Sequence, residues 1–302
     1  MSLLVIGTVA FDKVETPFGK TDKMLGGAGT YISLAASHLT NDIKIVSVVG
    51  GDFPQQYLDL LKSHSIDIEG VRIISEGKTF FWSGRYHENM NNRDTLSTEL
   101  NVLADFQPLL PSSYKKCKYL MLGNLTPSIQ KSVIKQMEVR PDLICMDTMN
   151  FWMDTAMDDL LDVLKHIDVL TINDEEARQL SGEYSIVLAA RKILTMGPRF
   201  LIVKKGEHGA MLFHENKIFY APAVPLAMVV DPTGAGDTFA GGFMGYIAKS
   251  GKTDFPTLKK ALLYGSAIAS FTVEKFGTDR LTEISENDII ERLKQLTDIV
   301  SI

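Results

Sequence analysis

Four short apolar runs, Tyr119–Leu122, Leu143–Met146, Val169–Ile172 and Phe200–Val203, recur through the middle of the chain without a charged side chain in any of them. Runs this short and this apolar predict strands buried on both faces. Between and after them, Ser128–Met137, Asp154–His166, Asp174–Ser181 and Ser185–Met196 place apolar residues at intervals of three and four, which predicts helices. Strand–helix alternation of this kind predicts an α/β fold with a mostly parallel central sheet flanked by helices. Met211–Phe213 and Lys217–Tyr220, joined through His214-Glu215-Asn216, predict an antiparallel hairpin, and the opening Met1-Ser2-Leu3-Leu4-Val5-Ile6-Gly7 goes straight into a strand-like run. Ile32–Leu39, Asp237–Lys249 and Phe255–Val273 read as further helices.

The segment Val71–Ser97 breaks the alternation. Thr79-Phe80-Phe81-Trp82-Ser83-Gly84-Arg85-Tyr86 is aromatic and β-prone, and a polar loop, Glu88–Asp94, follows it. This predicts a strand pair outside the main sheet. With Asp12–Lys20 it would form a small β-lid, spanning approximately residues 10–20 and 71–98, over the C-terminal edges of the strands; the plainer alternative is an extra hairpin on the sheet edge. No repeat, low-complexity tract or Gly/Ser linker divides the chain, so residues 1–302 are expected to form one unit.

Composition narrows the partners. The chain has 45% hydrophobic and 23% charged residues, a net charge of −6 and no cluster of basic and aromatic side chains, which argues against nucleic acid. No apolar run reaches membrane-spanning length. The two cysteines, Cys117 and Cys145, lie in or beside apolar runs, and no signal-peptide pattern opens the chain, so a reducing cytoplasm is expected. Negative net charge does not disfavour ATP, because phosphates need local N–H groups and cations rather than a basic surface.

The chemistry concentrates in Asp231-Pro232-Thr233-Gly234-Ala235-Gly236-Asp237-Thr238-Phe239-Ala240-Gly241-Gly242. A Gly-rich turn opens a helical pattern. Small residues let backbone N–H groups face outward, and the first N–H groups of a helix lack internal partners and bear partial positive charge. Gly234, Ala235 and Gly236 thus suit an anion seat, and Asp237 beside them can take a proton from an attacking hydroxyl. Seat and base together suit phosphoryl transfer to an alcohol. The string resembles the second signature of the ribokinase-like (PfkB) carbohydrate kinases, with Pro232 where Thr is common.

Other motifs follow in the order of that family. Gly26-Gly27-Ala28-Gly29-Thr30-Tyr31 before a helix resembles the first signature, and its glycines would touch the acceptor together with Asp12. Tyr31 stands where the family commonly has Asn, exchanging amide donors and acceptor for one hydroxyl and a ring face. Asn173 and Glu176 read either as a capping box or as the family's metal–phosphate motif, which implies Mg²⁺ held through water. Lys204-Lys205-Gly206-Glu207-His208-Gly209 resembles the nucleotide loop, implicating Lys204, Gly206 and Gly209, and Ser266 lies among small residues that leave room for a purine. Asp231 and Thr233 match positions that bind a monovalent cation such as K⁺ in several relatives.

Rival chemistries fail on spacing. Gly19-Lys20-Thr21, Gly77-Lys78-Thr79 and Gly251-Lys252-Thr253 lack the P-loop's earlier Gly, having Val14, Arg72 and Tyr246 there. Ile32 replaces the third Gly of a dinucleotide fingerprint, and no H-x-x-x-H pair occurs. The resemblance implies a ribokinase-like sandwich with a β-lid that often pairs between subunits, hence a homodimer through the lid. It implies transfer from ATP to a hydroxymethyl group of a small carbohydrate, with a free sugar as first expectation. A nucleoside is the alternative, with Tyr31, Phe81, Trp82 and Tyr86 as stacking surfaces, and a catalytically silent sugar-binding protein is the remaining one.

Overall fold

In the computed structural model, which describes residues 1–301, the apolar runs become strands of one nine-stranded sheet. In chain order the strands are β1 (Leu3–Ile6), β2 (Ala10–Thr16), β3 (Gly19–Lys20), β4 (Met24–Gly26), β5 (Ile43–Gly50), β6 (Ile66–Ile74), β7 (Phe81–Tyr86) and β8 (Arg93–Glu99). They continue as β9 (Tyr119–Leu122), β10 (Leu143–Asp147), β11 (Val169–Asn173), β12 (Phe200–Lys204), β13 (Ala210–His214) and β14 (Lys217–Ala221). The large sheet has the order β14-β13-β12-β11-β10-β9-β1-β5-β6. All neighbours from β6 to β12 run parallel, and only β13 and β14 are antiparallel, as the hairpin pattern predicts.

The central strands are apolar along most of their length because helices cover both faces. Leu3, Val5, Tyr119, Met121, Leu143 and Cys145 point to one side, into a core shared with the helices Ala28–Ser37, Ala235–Ser250 and Phe255–Thr272. Their neighbours Leu4, Ile6, Leu120, Leu122, Ile144 and Met146 point to the other, against Pro127–Gln136, Met157–Leu164, Asp174–Ser181 and Ile186–Leu194. The side-chain period of two thus divides one continuous run between two cores. Cys117 and Cys145 are buried free thiols. Among the described residues no helix is long and apolar enough to cross a membrane.

A second sheet, β3-β2-β7-β8 with β4 also on β2, stands apart from the first. It is the predicted lid with different limits. Val71–Ile74 does not belong to it: these residues prolong β6 and pair with Ser47–Gly50 at the edge of the large sheet. Asp12 lies inside β2, within the segment expected to join the lid, whereas the far end of the expected polar loop, Arg93 and Asp94, already belongs to β8. The chain between Leu39 and Val71 adds β5, the helix Gln55–Ser63 and the start of β6, which the apolar pattern did not single out. The helix expected over Asp154–His166 is two, Asn150–Thr155 and Met157–Leu164, broken at Ala156 with φ −147° and ψ 40°. No Gly or Pro marks that break.

Candidate active site

The chain reverses direction across the sheet at β1, with β9 on one side and β5 on the other. Crevices at the C-terminal ends of parallel strands near such a reversal are where α/β sheets bind ligands. The candidate residues gather at these ends, and the lid sheet faces them.

The helix Ala235–Ser250 opens at Gly234, which has φ 73° and ψ 0°. Only glycine suits this position. The backbone is left-handed, and an added Cβ would lie 2.5–2.6 Å from three ring carbons of Tyr31. The Ala235 N–H donates to the Pro232 carbonyl at 3.2 Å, so it is not a free donor of the seat as the sequence suggested. Among the described residues the N–H groups of Gly236 and Asp237 have no acceptor, and they are the donors left facing outward. Asp237 stands in the first turn with its carboxyl recessed beside them. Burial pushes its pKa up to about 7; the nearby Asp147 and Asp12 add to the rise, while Lys204 and Arg93 oppose it.

Beneath this turn lies a largely buried cation. Lys204 ends β12, and its Nζ stands 3.4 Å from both carboxylate oxygens of Asp147, the last residue of β10. The same Nζ would lie 3.2 Å from a Cβ placed on Gly236, so the ammonium adjoins the anion seat. Burial works against its charge, but Asp147, Glu176 and Asp237 together outweigh that and hold its pKa above the ordinary value. Asp147 was not anticipated; the signal for it was an acid closing an apolar run at the sheet's C-terminal edge.

Asn173 and Glu176 form a reciprocal capping box, each side chain accepting from the other's backbone N–H at 2.8 Å. Glu176 is buried, which raises its pKa to about 7 against the pull of Lys204. The structural reading therefore holds, and it leaves the second carboxylate oxygen of Glu176 without a protein donor. Among the described residues no three His, Cys, Asp or Glu side chains are grouped to hold a metal. That donor set fits Mg²⁺ bound mainly by nucleotide phosphates and water.

In the loop after β12, Lys205 N–H donates to the Gly209 carbonyl at 2.8 Å, closing a short turn over Gly206–His208. Gly209 packs against the chain at Ala221, whereas Gly206 faces the tip of the lid hairpin at Asn91. Ser266 is buried, and its hydroxyl donates to the Pro222 carbonyl at 2.8 Å, so its proton serves the fold.

On the acceptor side, the Asp12 carboxylate lies flat on Gly26, where a Cβ would collide with it, and accepts from the Gly27 N–H at 3.4 Å. Burial raises Asp12 to about 7. Asp231, 1% exposed, accepts from Thr233 N–H at 2.9 Å and Gly277 N–H at 3.1 Å. Among the described residues it has no ion-pair partner, and burial raises its pKa. A buried carboxylate without a countercharge, with lone pairs to spare, fits a monovalent cation.

The aromatic residues divide. Tyr31 is 1% exposed, with its ring beneath Gly234 and its hydroxyl buried without a hydrogen-bond partner, so it forms part of the floor and is not a surface for substrate. Phe81 faces away from the site, sharing with Phe11 the ammonium of Lys23. Trp82 pairs in register with Asp12 and so shares its sheet face; it is half-buried, with its ring over Gly84. Tyr86, four residues on from Trp82, accepts a hydrogen bond from the Thr233 hydroxyl at 3.3 Å.

Comparison with known proteins identifies the family. The pfkB family carbohydrate kinase pattern matches residues 4–284, and the chain belongs to that family. It is similar to the cytidine kinase of Thermococcus kodakarensis, 28% identical over 248 residues that span 81% of this chain and 87% of that protein. Its fold is similar to that of the nucleoside kinase of Burkholderia thailandensis in complex with inosine, with TM-score 0.78, 20% identity and coverage of 98% and 99% of the two chains. It is likewise similar to the ribokinase of Arabidopsis thaliana complexed with ribose and ATP, with TM-score 0.76, 20% identity and coverage of 97% and 98%. The protein is an ATP-dependent kinase whose acceptor is a small carbohydrate, a sugar or a nucleoside.

Proposed function

We propose that this pfkB-family kinase transfers the γ-phosphoryl group of ATP to the hydroxymethyl group of a ribonucleoside. The observation that carries the reading is Trp82, half-buried beside Asp12 on the face of the lid that looks into the site. Asp12 accepts hydrogen bonds from vicinal hydroxyls of the ribose, with Gly26 and Gly27 giving it a close seat. The indole then stands where a base attached to that ribose would stack. A free sugar leaves this face uncovered.

Asp237 takes the proton of the hydroxymethyl group as its oxygen attacks the γ-phosphorus. The bond to the bridging oxygen breaks, its electron pair leaves on ADP, and the N–H groups of Gly236 and Asp237 meet the charge on the phosphoryl oxygens. Lys204 completes that seat from below, and Gly206 lines the nucleotide side. Asn173 and Glu176 would hold Mg²⁺ through water, and the metal when bound neutralises phosphate charge. Asp231 and Thr233 would hold K⁺ near the loop that presents the seat. Need for ATP, and two cysteines buried as thiols, support a reducing cytoplasm as the compartment of the reaction. Strand β8 is an exposed edge bearing Leu96, which fits pairing of two lids in a homodimer; sedimentation should then give twice the monomer mass.

The test is a panel of cytidine, adenosine, inosine, guanosine, ribose and fructose. The best nucleoside should exceed both free sugars at least tenfold in kcat/KM, and Trp82→Ala should erase most of that margin, since a base–aromatic stack is worth about 1–3 kcal/mol. A free sugar that outruns every nucleoside would return the protein to the plain sugar kinases.

A further inference from the structure

The lid carries a cation that no motif singled out. Arg93 is the first residue of β8 and lies directly across from Tyr86 on β7. Tyr86 is the lid residue that meets Thr233, so this corner of the lid already rests on the loop that opens the catalytic helix. The hairpin tip just before Arg93 reaches the nucleotide loop, where Asn91 Oδ1 would lie 3.3 Å from a Cβ on Gly206. The guanidinium itself stands 5.6 Å from the centre of the Trp82 ring. Arg93 therefore sits over the gap between acceptor side and nucleotide side.

Other cations of the lid are engaged elsewhere or, like Lys13, which follows Asp12 on β2, lie on the opposite face. Arg85 pairs with Glu15 at 3.2 Å on the opposite face, Lys20 pairs with the same Glu15 at 3.0 Å, His87 pairs with Asp94 at 3.0 Å, and Lys23 covers Phe11 and Phe81. Arg93 is exposed, and among the described residues it has no carboxylate within ion-pair distance. Yet its charge reaches Asp12, Glu176 and Asp237, where it opposes the rise in pKa that burial causes. A planar cation that overlooks three carboxylates and touches none is placed for an anion arriving among them.

We propose that Arg93 is a catalytic residue whose guanidinium, delivered by the lid, binds the γ-phosphoryl group as it passes from ADP to the acceptor. The arginine forms no covalent bond and gives up no proton; it takes up charge that spreads over the phosphoryl oxygens at the side opposite Lys204. The proposal rests on the kinase reading and is independent of whether the acceptor is a nucleoside or a sugar.

The test compares Arg93→Ala and Arg93→Lys with the wild-type protein. Arg93→Ala should lower kcat by about a hundredfold or more with both KM values nearly unchanged, and Arg93→Lys should restore part of the loss. Calorimetry with ADP, MgCl₂ and aluminium fluoride reads the same interaction without turnover. Affinity for that mixture should fall at least tenfold in Arg93→Ala, while affinity for ADP and MgCl₂ alone should hold. A raised acceptor KM with kcat intact would overturn the proposal and make Arg93 an acceptor contact; equal weakening of both ADP mixtures would overturn it in favour of a nucleotide anchor. If ribose or fructose proves the better acceptor, the nucleoside reading falls, and the Arg93 measurements proceed on that sugar with the same expected outcome.

Discussion

Asp237→Asn should lower kcat by about three orders of magnitude while ATP affinity stays within about twofold of wild type. The amide matches the carboxylate in shape and keeps the backbone donors of Gly236 and Asp237 in place, so the nucleotide seat survives. What disappears is the group that takes the hydroxyl proton. Turnover by the variant at a tenth of the wild-type rate would remove Asp237 from that role. The same residue sets a pH dependence. Its pKa is raised to about 7, chiefly by burial, so the base is unprotonated only above that value, and kcat/KM should rise with pH through about 7. The stability effect has the opposite sense. A carboxyl whose folded pKa exceeds its unfolded value favours the fold when protonated. Its contribution is full below the ordinary carboxylate range and is lost as pH climbs toward 7. At pH 8 the Asn variant, free of the buried charge, should melt above the wild type, and a lower melting temperature there would contradict the electrostatic picture.

Most of the scaffold was legible because burial leaves a strong mark. Strands covered on both faces had to be uniformly apolar, and β9 to β12 stood out for that reason. Edge strand β6 mixes buried with exposed positions and so carries no such run, which is why the sequence alone groups Val71–Ile74 with the lid. The glycine turn and Asp237 were legible because a phosphate seat demands small residues at a helix start. The sequence could not say which N–H groups remain free; that depends on Pro232 accepting from Ala235. Nor could it orient the aromatics. Tyr31 was expected at the substrate and lies under Gly234, because a glycine with no Cβ leaves a flat place that a ring fills. Asp147 and Arg93 belong to no local motif. They reach the site only through the order of strands in the large sheet and the pairing of β7 with β8.

Lys204→Met should abolish activity and destabilise the fold, and the two losses should separate in a double variant. The ammonium is the countercharge of Asp147 and is felt by Glu176 and Asp237, so its removal leaves a buried carboxylate cluster without its cation. Breaking a buried pair from one side costs about 3–5 kcal/mol, which urea unfolding would detect as a lowered midpoint at neutral pH. Adding Asp147→Asn removes the stranded charge and should recover most of that stability. Activity should not return. The single and double variants should both fall at least about a hundredfold in kcat, because neither restores a positive charge beside Gly236, where the phosphoryl group would lie. If the double variant regained both stability and turnover, Lys204 would be a structural counterion to Asp147 and nothing more. If it regained stability alone, the buried ammonium would belong to the chemistry, with Asp147 serving to hold it in place.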